Sequence, residues 1–432
     1  MSRLFPPPTE LRTDETTGTE VACRLRDKGR QRVTVTTVCG QMKVLRKRWM
    51  SALGAGCQVP LDGWLGIDDK VVTKGVMALI CLLNRAATSF EHAAQCLHAA
   101  TNIRLGKETL RKLCIGSGKA MQQAIAKGEL TPDWTAKDCV VEEPTAAAAS
   151  TTGAQAVATA VQKLTRVYLG CDGVKVPLIT QTEKRKRRDK SLAKRRELKQ
   201  AGRKLAPLSP LAPGADQSYK EFKLSVFYSQ DHTRRLVSIT SGNHEVIGRI
   251  MKRDASRLKL QEADEALGIY DGGPWIDNQI QKQHLPLTDK CLDFYHLKDN
   301  IQKTRRELFG DEAEGQAWAH NLAEMFKLQG FTAGFDSLVT FRKTRKGHRH
   351  RKALNRLVDY ISDRRALISY PEFRAANRDI GSGPTEAQCK CETLRLKGHG
   401  RRWNKANALA ISTIEAIHQS RLTENFWNLQ TT

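Results

Sequence analysis

The sequence predicts an α/β protein. A mixed-sheet core is interrupted by an all-α insertion. A helix-turn-helix-like helical domain and a small β-rich N-terminal module precede that core. Three observations predict this. From about residue 163 onward, short apolar runs alternate with stretches of helical spacing. Two of those runs end in Asp-Gly, at Asp172-Gly173 and Asp271-Gly272. Residues 74–125 carry helical spacing with no strand signal.

The chain has 432 residues, 40% hydrophobic and 27% charged. That is enough for two or three domains and a buried core. Lysine and arginine number 71 against 46 acids, a net charge of +25. Such a surplus points to a polyanion, first of all nucleic acid. No apolar stretch approaches the ~20 residues of a membrane span, so no membrane partner is expected. The start is polar with three consecutive prolines, Pro6 to Pro8, unlike a signal peptide. These features lead us to expect a cytoplasmic protein. The eleven cysteines are expected as reduced, mostly buried thiols. Cys389 and Cys391 form a C-x-C pair, which cannot face one ligand from a helix.

The elements follow in order. Residues 1–20 read as a disordered tail. Residues 21–70 read as a β-rich module because Val21 to Arg48 alternates, as in Arg32-Val33-Thr34-Val35-Thr36. Cys23, Cys39 and Cys57 form no C-x-x-C knuckle, so the module reads as a degenerate zinc ribbon and no zinc site is assigned to it. Residues 71–140 read as helical. An apolar run from Met77 to Asn84 leads it, and Thr88-Ser89-Phe90-Glu91 reads as a capping box with Thr88 at the cap. A break at Ala100-Thr101-Asn102 precedes a basic helix from about Gly106, with Lys107, Thr109, Arg111 and Lys112 outward. This is the pattern of a helix-turn-helix DNA reader, or of a plain helical hairpin. Residues 141–162, poor in periodicity, read as a linker and the main domain boundary.

Residues 163–300 read as the first part of the core. Strands are expected over Thr165–Cys171, Glu221–Ser229, Arg234–Thr240, Ala266–Tyr270 and Cys291–His296. Asn243 should cap a helix through Ile247, Ile250 and Leu258. A basic insert, 181–218, interrupts the first two strands. Lys184 to Lys204 holds twelve lysines and arginines against Asp189 and Glu197, and Pro207 to Pro213 closes it. Like charges this dense stay solvated. Lys184, Arg185, Lys186, Arg187 and Arg188 are candidates for contact with the DNA backbone. Residues 301–380 read as the all-α insertion, with a basic patch at Arg342 to Lys352. Residues 381–432 begin at the Gly381-Ser382-Gly383-Pro384 turn and continue as helices, the first opened by Glu386.

Asp172, Asp271 and Glu386 are the candidate catalytic acids. Carboxylates at neighbouring strand ends, with one from a helix alongside, form a cage of hard oxygen donors suited to Mg²⁺ or Mn²⁺. Two such ions about 4 Å apart stabilise both oxygens of a phosphodiester displacement. Each residue alone has a plain structural reading. Asp-Gly is a turn signal, and Glu386 can complement a helix dipole. The order strand-Asp, three-strand meander, helix, strand-Asp, helical insert, helix-Glu is more selective. It is the layout of a ribonuclease-H-like nucleotidyl transferase.

Four segments resemble the DDE transposases of bacterial insertion sequences, nearest the ISKra-like type of the Mutator-like set. They are Cys171-Asp172-Gly173, Tyr270 to Ile276 (YDGGPWI), Leu292 to His296 (LDFYH) and Gly381 to Glu386 (GSGPTE). Pro60 to Gly66 and the tail Lys397 to Asn404 are also similar to that family. The resemblance implies a metal-dependent enzyme that binds terminal inverted repeats, cuts DNA and transfers the strand. It implies Asp172, Asp271 and Glu386 as catalytic metal ligands holding Mg²⁺ or Mn²⁺. Asp293 and His296 fit the family's acid-x-x-histidine element. Asp293 is the reserve second ligand, and His296 either touches phosphate or packs beside a strand end. Trp275 either stacks on a flipped base or anchors the core. Arg401 and Arg402 join the candidate DNA contacts. The implied partners are double-stranded DNA, as transposon ends and target, and further copies of the chain in a synaptic complex at the nucleoid. The chain departs from the family in its eroded N-terminal cysteine pattern and in its basic insert. The alternatives are a catalytically inactive DNA-binding descendant and a structure-specific nuclease.

Overall fold

The structure is a computed structural model that describes residues 7–13, 20–51, 57–67, 71–144, 161–398 and 400–429. Most of the expected linker, residues 145–160, lies outside the described residues, as does His399. The chain forms two units, Met1–Leu130 with Thr413–Thr432, and Thr131–Ser412. The division thus falls at 130/131, ahead of the linker.

In the first unit, Thr9–Thr13 (β1) pairs antiparallel with Glu20–Arg24 (β2), so part of the expected tail is a strand. Arg26–Thr37 (β3) and Gly40–Met50 (β4) form a long hairpin, and Cys57–Gln58 (β5) joins β4. Four helices follow: Pro60–Leu65 (α1), Lys74–Ala86 (α2), Phe90–Thr101 (α3) and Lys107–Lys127 (α4). α2, α3 and α4 pack on one another. Leu110, Leu113, Ser117, Met121 and Ala124 recur every three or four residues along α4 and are buried, the stripe an amphipathic helix turns to its core. The α3 cap differs from expectation by one residue. Ser89 Oγ, not Thr88, accepts the His92 backbone N–H at 3.0 Å. Glu91 does not reach back but pairs with Lys107 at 2.8 Å, tying α3 to α4.

In the second unit, Val140–Pro144 (β6) pairs antiparallel with the start of Val161–Pro177 (β7). Val140–Pro144, placed at the junction of helical domain and linker by the sequence, is therefore sheet. β7 does not stop at Cys171. It runs on through Asp172-Gly173, because these residues pair with Leu224 and Lys223 of Tyr219–Ser229 (β8). Between β7 and β8 the basic run forms a helix, Gln181–Gln200 (α5). Thr180 and Glu183 cap it reciprocally. Arg235–Thr240 (β9) follows, then His244–Arg257 (α6), capped by Asn243 at 3.2 Å from the Val246 N–H. Glu265–Tyr270 (β10), Pro274–Lys282 (α7) and Asp289–Leu292 (β11) complete the sheet. The segment expected as one strand, Cys291–His296, breaks at Asp293. Phe294–Phe309 is a helix (α8) capped by the Asp293 carboxylate. Ala313–Thr344 (α9), His348–Ser362 (α10) and Tyr370–Ala375 (α11) form the helical insertion. Gly383–Leu396 (α12) carries Glu386. Lys405–Gln419 (α13), within which the division between units falls, and Thr423–Leu429 (α14) follow.

The sheet order is β11-β10-β7-β8-β9, with β10 parallel to both neighbours and β7-β8-β9 antiparallel. Val167, Tyr168 and Leu169 of β7 are all nearly inaccessible, as expected of a strand covered on both faces. This is a mixed α/β fold. No helix among the described residues is long and apolar enough to cross a membrane.

Candidate functional site

Register places the acids. Gly268 of β10 pairs with Leu169 of β7, and Tyr270 pairs with Leu292 of β11. Counting onward brings Asp172, Asp271 and Asp293 to one level on three adjacent parallel strands. Neighbouring strands lie about 4.8 Å apart, and residues in register point to the same face. The Asp293 N–H donates to the Tyr270 carbonyl at 2.8 Å, so the ladder extends to that level.

α12 brings Glu386 onto this face. Gly170, two residues before Asp172 and so on the same side of β7, leaves the room. A Cβ there would lie 1.8 Å from Thr385 Oγ1. One turn past Glu386, the Cys389 thiol donates to Asp172 Oδ2 at 3.0 Å. Burial first, then the Asp172 charge, push that thiol far up, so Cys389 stays protonated. Asp172 Oδ1 accepts the Gly173 N–H at 2.6 Å. Asp271 Oδ1 accepts the Gly273 N–H at 2.9 Å. This turn needs Gly272, whose φ is +70°.

Asp293 is wholly buried and is the best-satisfied acid of the group. Its Oδ1 accepts the Tyr295 N–H at 2.8 Å. Its Oδ2 takes the Ser382 N–H at 3.3 Å, the Ser382 hydroxyl, and His296 Nδ1 at 3.2 Å. Burial alone would raise its pKa, but His296 and Ser382 outweigh it, and the carboxyl is held below the usual range. His296 is pushed up to about 9. The Asp293 hydrogen bond leads, burial opposes, and the charges of Asp293, Asp271 and Asp172 add. His296 is therefore an imidazolium at neutral pH. Glu386 is shifted up, by partial burial first and then by Asp293, Asp299 and Asp172, with His296 opposing. These carboxylates crowd one another enough to favour a compensating cation.

Among the described residues, Asp293, His296 and Glu386 offer ligand atoms that lie within 4.8 Å of one another. The expected trio was Asp172, Asp271 and Glu386. Asp172 and Asp271 share the site's field, while Asp293, held in reserve, sits in the tightest group. The donor set, carboxylate oxygens with one imidazole, fits a divalent ion. Binding to His296 would displace its proton.

The neighbours of the acids include residues that sequence reasoning missed. Asp299 lies one helical turn after His296. Reading 291–296 as strand hid this i, i+3 spacing. Arg364, from the helical insertion, abuts Gly272: a Cβ there would lie 2.6 Å from its Nε. That Nε is buried without a hydrogen-bond partner among the described residues, while the guanidinium stacks 4.1 Å from the Tyr360 ring centroid. No local motif marks Arg364. Trp275 is half-buried, and the Lys223 ammonium lies 4.0 Å from its ring centroid.

The candidate DNA contacts divide. On α4, Lys107 is paired with Glu91, and Arg111 forms a bidentate pair with Glu108, leaving Thr109 and Lys112 exposed. On α5, Lys184 is buried and donates to the Ala212 and Pro213 carbonyls, and Arg188 donates to the Ser209 carbonyl at 2.7 Å. Arg185, Lys186 and Arg187 face outward. Arg401 donates to the carbonyls of Leu394, Arg395 and Lys397, closing the end of α12. Arg402 pairs with Glu183 at 3.2 Å. Trp403 Nε1 donates to the Leu396 carbonyl at 2.8 Å. The Arg401-Arg402-Trp403 segment is thus a stitch between α12, β7 and α5. No protein-family model matches the chain, and no curated protein matches it.

Proposed function

We propose that the protein is a divalent-metal-dependent DNA strand transferase, a transposase, built on a ribonuclease-H-like core. One observation carries this. Acids stand at one level of three adjacent strands, and one of them, Asp293, meets His296 and a glutamate delivered by a helix on the same face. The sheet order, an antiparallel meander followed by two parallel strands, supports the ribonuclease-H-like reading. The net charge of +25 supports a polyanionic substrate.

Asp293, His296 and Glu386 would hold an ion, with Asp172 and Asp271 at the same level of the adjoining strands. A divalent ion there supplies charge neutralisation at a phosphodiester. The chain's own residues do the rest. Asp293 fixes His296 and the Ser382 turn, and so the start of α12. Without an ion His296 holds its proton against Asp293, and it would release that proton on ligating the ion. Cys389 holds Asp172 in one rotamer. No protein nucleophile is required, because water and then a DNA 3′-hydroxyl can attack.

The test is nicking and joining of plasmid DNA in Mg²⁺ or Mn²⁺ by the wild type and by Asp172→Asn, Asp271→Asn and Glu386→Gln. Each variant should lose about 10²-fold or more in rate while still binding DNA. Strand transfer surviving all three changes would sink the assignment. Cutting without joining would leave the nuclease reading.

A further inference from the structure

Two adjoining depressions in the second unit share Ile179 and Asn404 in their walls. The larger, about 480 Å³, lies where β7 and β8 run past Asp172 and carries Lys220, Lys223 and Lys405. The smaller, about 330 Å³, carries Lys184, Arg187 and Arg188 of α5. Together they form one trough lined by six basic residues and two acids, Asp216 and Glu221.

Its ends are informative. At one end Lys223 sits over Trp275 and pairs with Glu221 at 2.6 Å. Trp275 follows directly on the Asp271 turn. A Cβ on Gly273 would lie 3.1 Å from Asp271 Oδ1 and 3.3 Å from Trp275 Nε1. The trough therefore begins beside the Asp271 turn. In its middle Lys220 and Lys405 face each other, and neither pairs with an acid among the described residues. Burial and the Lys220 charge lower the Lys405 pKa, with Asp216 opposing. Two ammonium groups held together, with Asp216 near but in ion-pair contact with neither, mark a place for an anion between them.

The other end is rigid. Lys184, Arg188 and Arg195 of α5 donate to carbonyls at 212 and 213, 209, and 206. The prolines of that return segment, Pro207, Pro210 and Pro213, also recur every third residue, the period of a polyproline II strand. The inward bases fasten helix to strand. Arg187, exposed, is left to the trough; Arg185 and Lys186 are also exposed, on other sides of the helix.

We propose that this trough carries the sugar-phosphate backbone of a nucleic-acid strand away from the acidic pocket, with Lys220 and Lys405 gripping one phosphate and α5 the next stretch. Basic residues in both adjoining depressions, rather than in one alone, favour a phosphodiester chain over an isolated anion. The proposal rests on the nucleic-acid reading above and goes beyond it by giving the strand's path.

The test is fluorescence anisotropy of a labelled DNA duplex and of its single strand with the full chain, across a salt series. In Lys220→Gln/Lys405→Gln the salt slope should fall by about 1 to 2, and affinity at low salt by about tenfold or more. Mn²⁺ affinity by calorimetry should stay unchanged. Lys220→Arg/Lys405→Arg should keep the slope. With wild-type protein, photo-crosslinks from a bromodeoxyuridine-substituted strand should map to peptides around 220 and 405, a readout independent of how the variants fold. An unchanged slope in the glutamine variant, with crosslinks elsewhere, would overturn the path while leaving the nucleic-acid reading intact. No salt-dependent binding by the wild type would overturn both. Equal affinity for polyglutamate of matched charge, with the slope unchanged in the glutamine variant, would overturn the assignment to a phosphodiester backbone.

Discussion

Gly170 and Thr385 touch so closely that a single methyl group cannot fit between them: a Cβ at 170 would lie 1.8 Å from Thr385 Oγ1 and 3.0 Å from its Cβ. Thr385 is buried and immediately precedes Glu386. Gly170→Ala must therefore push the start of α12 off the sheet. We expect a stability loss of about 1–3 kcal/mol and a larger fractional loss of Mn²⁺ affinity. Adding Thr385→Ala removes the nearest clash and should restore part of both. Calorimetric titration and thermal melts check this. Full metal affinity in the single variant would show that Glu386 does not depend on this contact.

The His296–Asp293 pair gives a pH signature in chelated protein. His296 is raised from its ordinary value near 6.5 to about 9. Its contribution to stability is fully present below pH 6.5 and is lost as pH rises through about 9. Asp293→Asn removes the main cause, so the imidazole should titrate back toward 6.5, and the alkaline loss of stability should flatten. Histidine proton shifts in NMR, followed against pH, read this directly.

Arg166 is wholly buried between Glu143 and Glu265, and it also donates to Gln230 at 2.6 Å and to the Ala376 and Asn377 carbonyls. Burial works against its charge, and the two glutamates more than offset this. Arg166→Ala leaves both acids without their main partner at the foot of β7 and β10. The cost should be about 3–5 kcal/mol, a fall in the melting midpoint on the order of 10 °C. A loss below about 1 kcal/mol would mean that Arg378, which also pairs with Glu265, suffices.

Lys184→Ala and Arg188→Ala should loosen the Pro207–Pro213 segment from α5. Each removes charge-assisted bonds to backbone carbonyls, so local opening and proteolytic nicking there should rise about tenfold or more. Arg185→Ala and Arg187→Ala, outward in the structure, should leave nicking rates at the wild-type level.

Arg364 reaches the Asp271 turn from the insertion, with a buried N–H that no group among the described residues accepts. If a phosphate oxygen is its acceptor, Arg364→Ala lowers the nicking rate by about 10²-fold and leaves Mn²⁺ affinity unchanged. Equal losses in both would make it a structural prop.

The acids were legible because buried parallel strands read as apolar runs, and a charge at their end is conspicuous. Other features were misread for identifiable reasons. Asp172-Gly173 reads as a turn, yet pairing with β8 overrides that local preference. Phe294-Tyr295 resembles strand text, and Asp293 ahead of it is equally a cap. The basic insert reads equally as a surface loop or a solvated helix, and Thr180-x-x-Glu183, the capping pattern just ahead of it, is what decides for the helix. Contacts between distant segments, such as Glu91 with Lys107 or Arg364 with the Asp271 turn, have no local signature at all.

Ser382 meets the Asp293 carboxylate across 89 residues of chain, and the Phe294 N–H donates to the Ile380 carbonyl at 2.9 Å. The helical insertion thus leaves and rejoins the core through a single doorway. Because closing a longer or shorter loop changes the entropy only slowly with length, such a cassette can be resized or exchanged without disturbing the carboxylates behind it. What an exchange would alter is the roof that Arg364 and Tyr360 supply over the Asp271 turn.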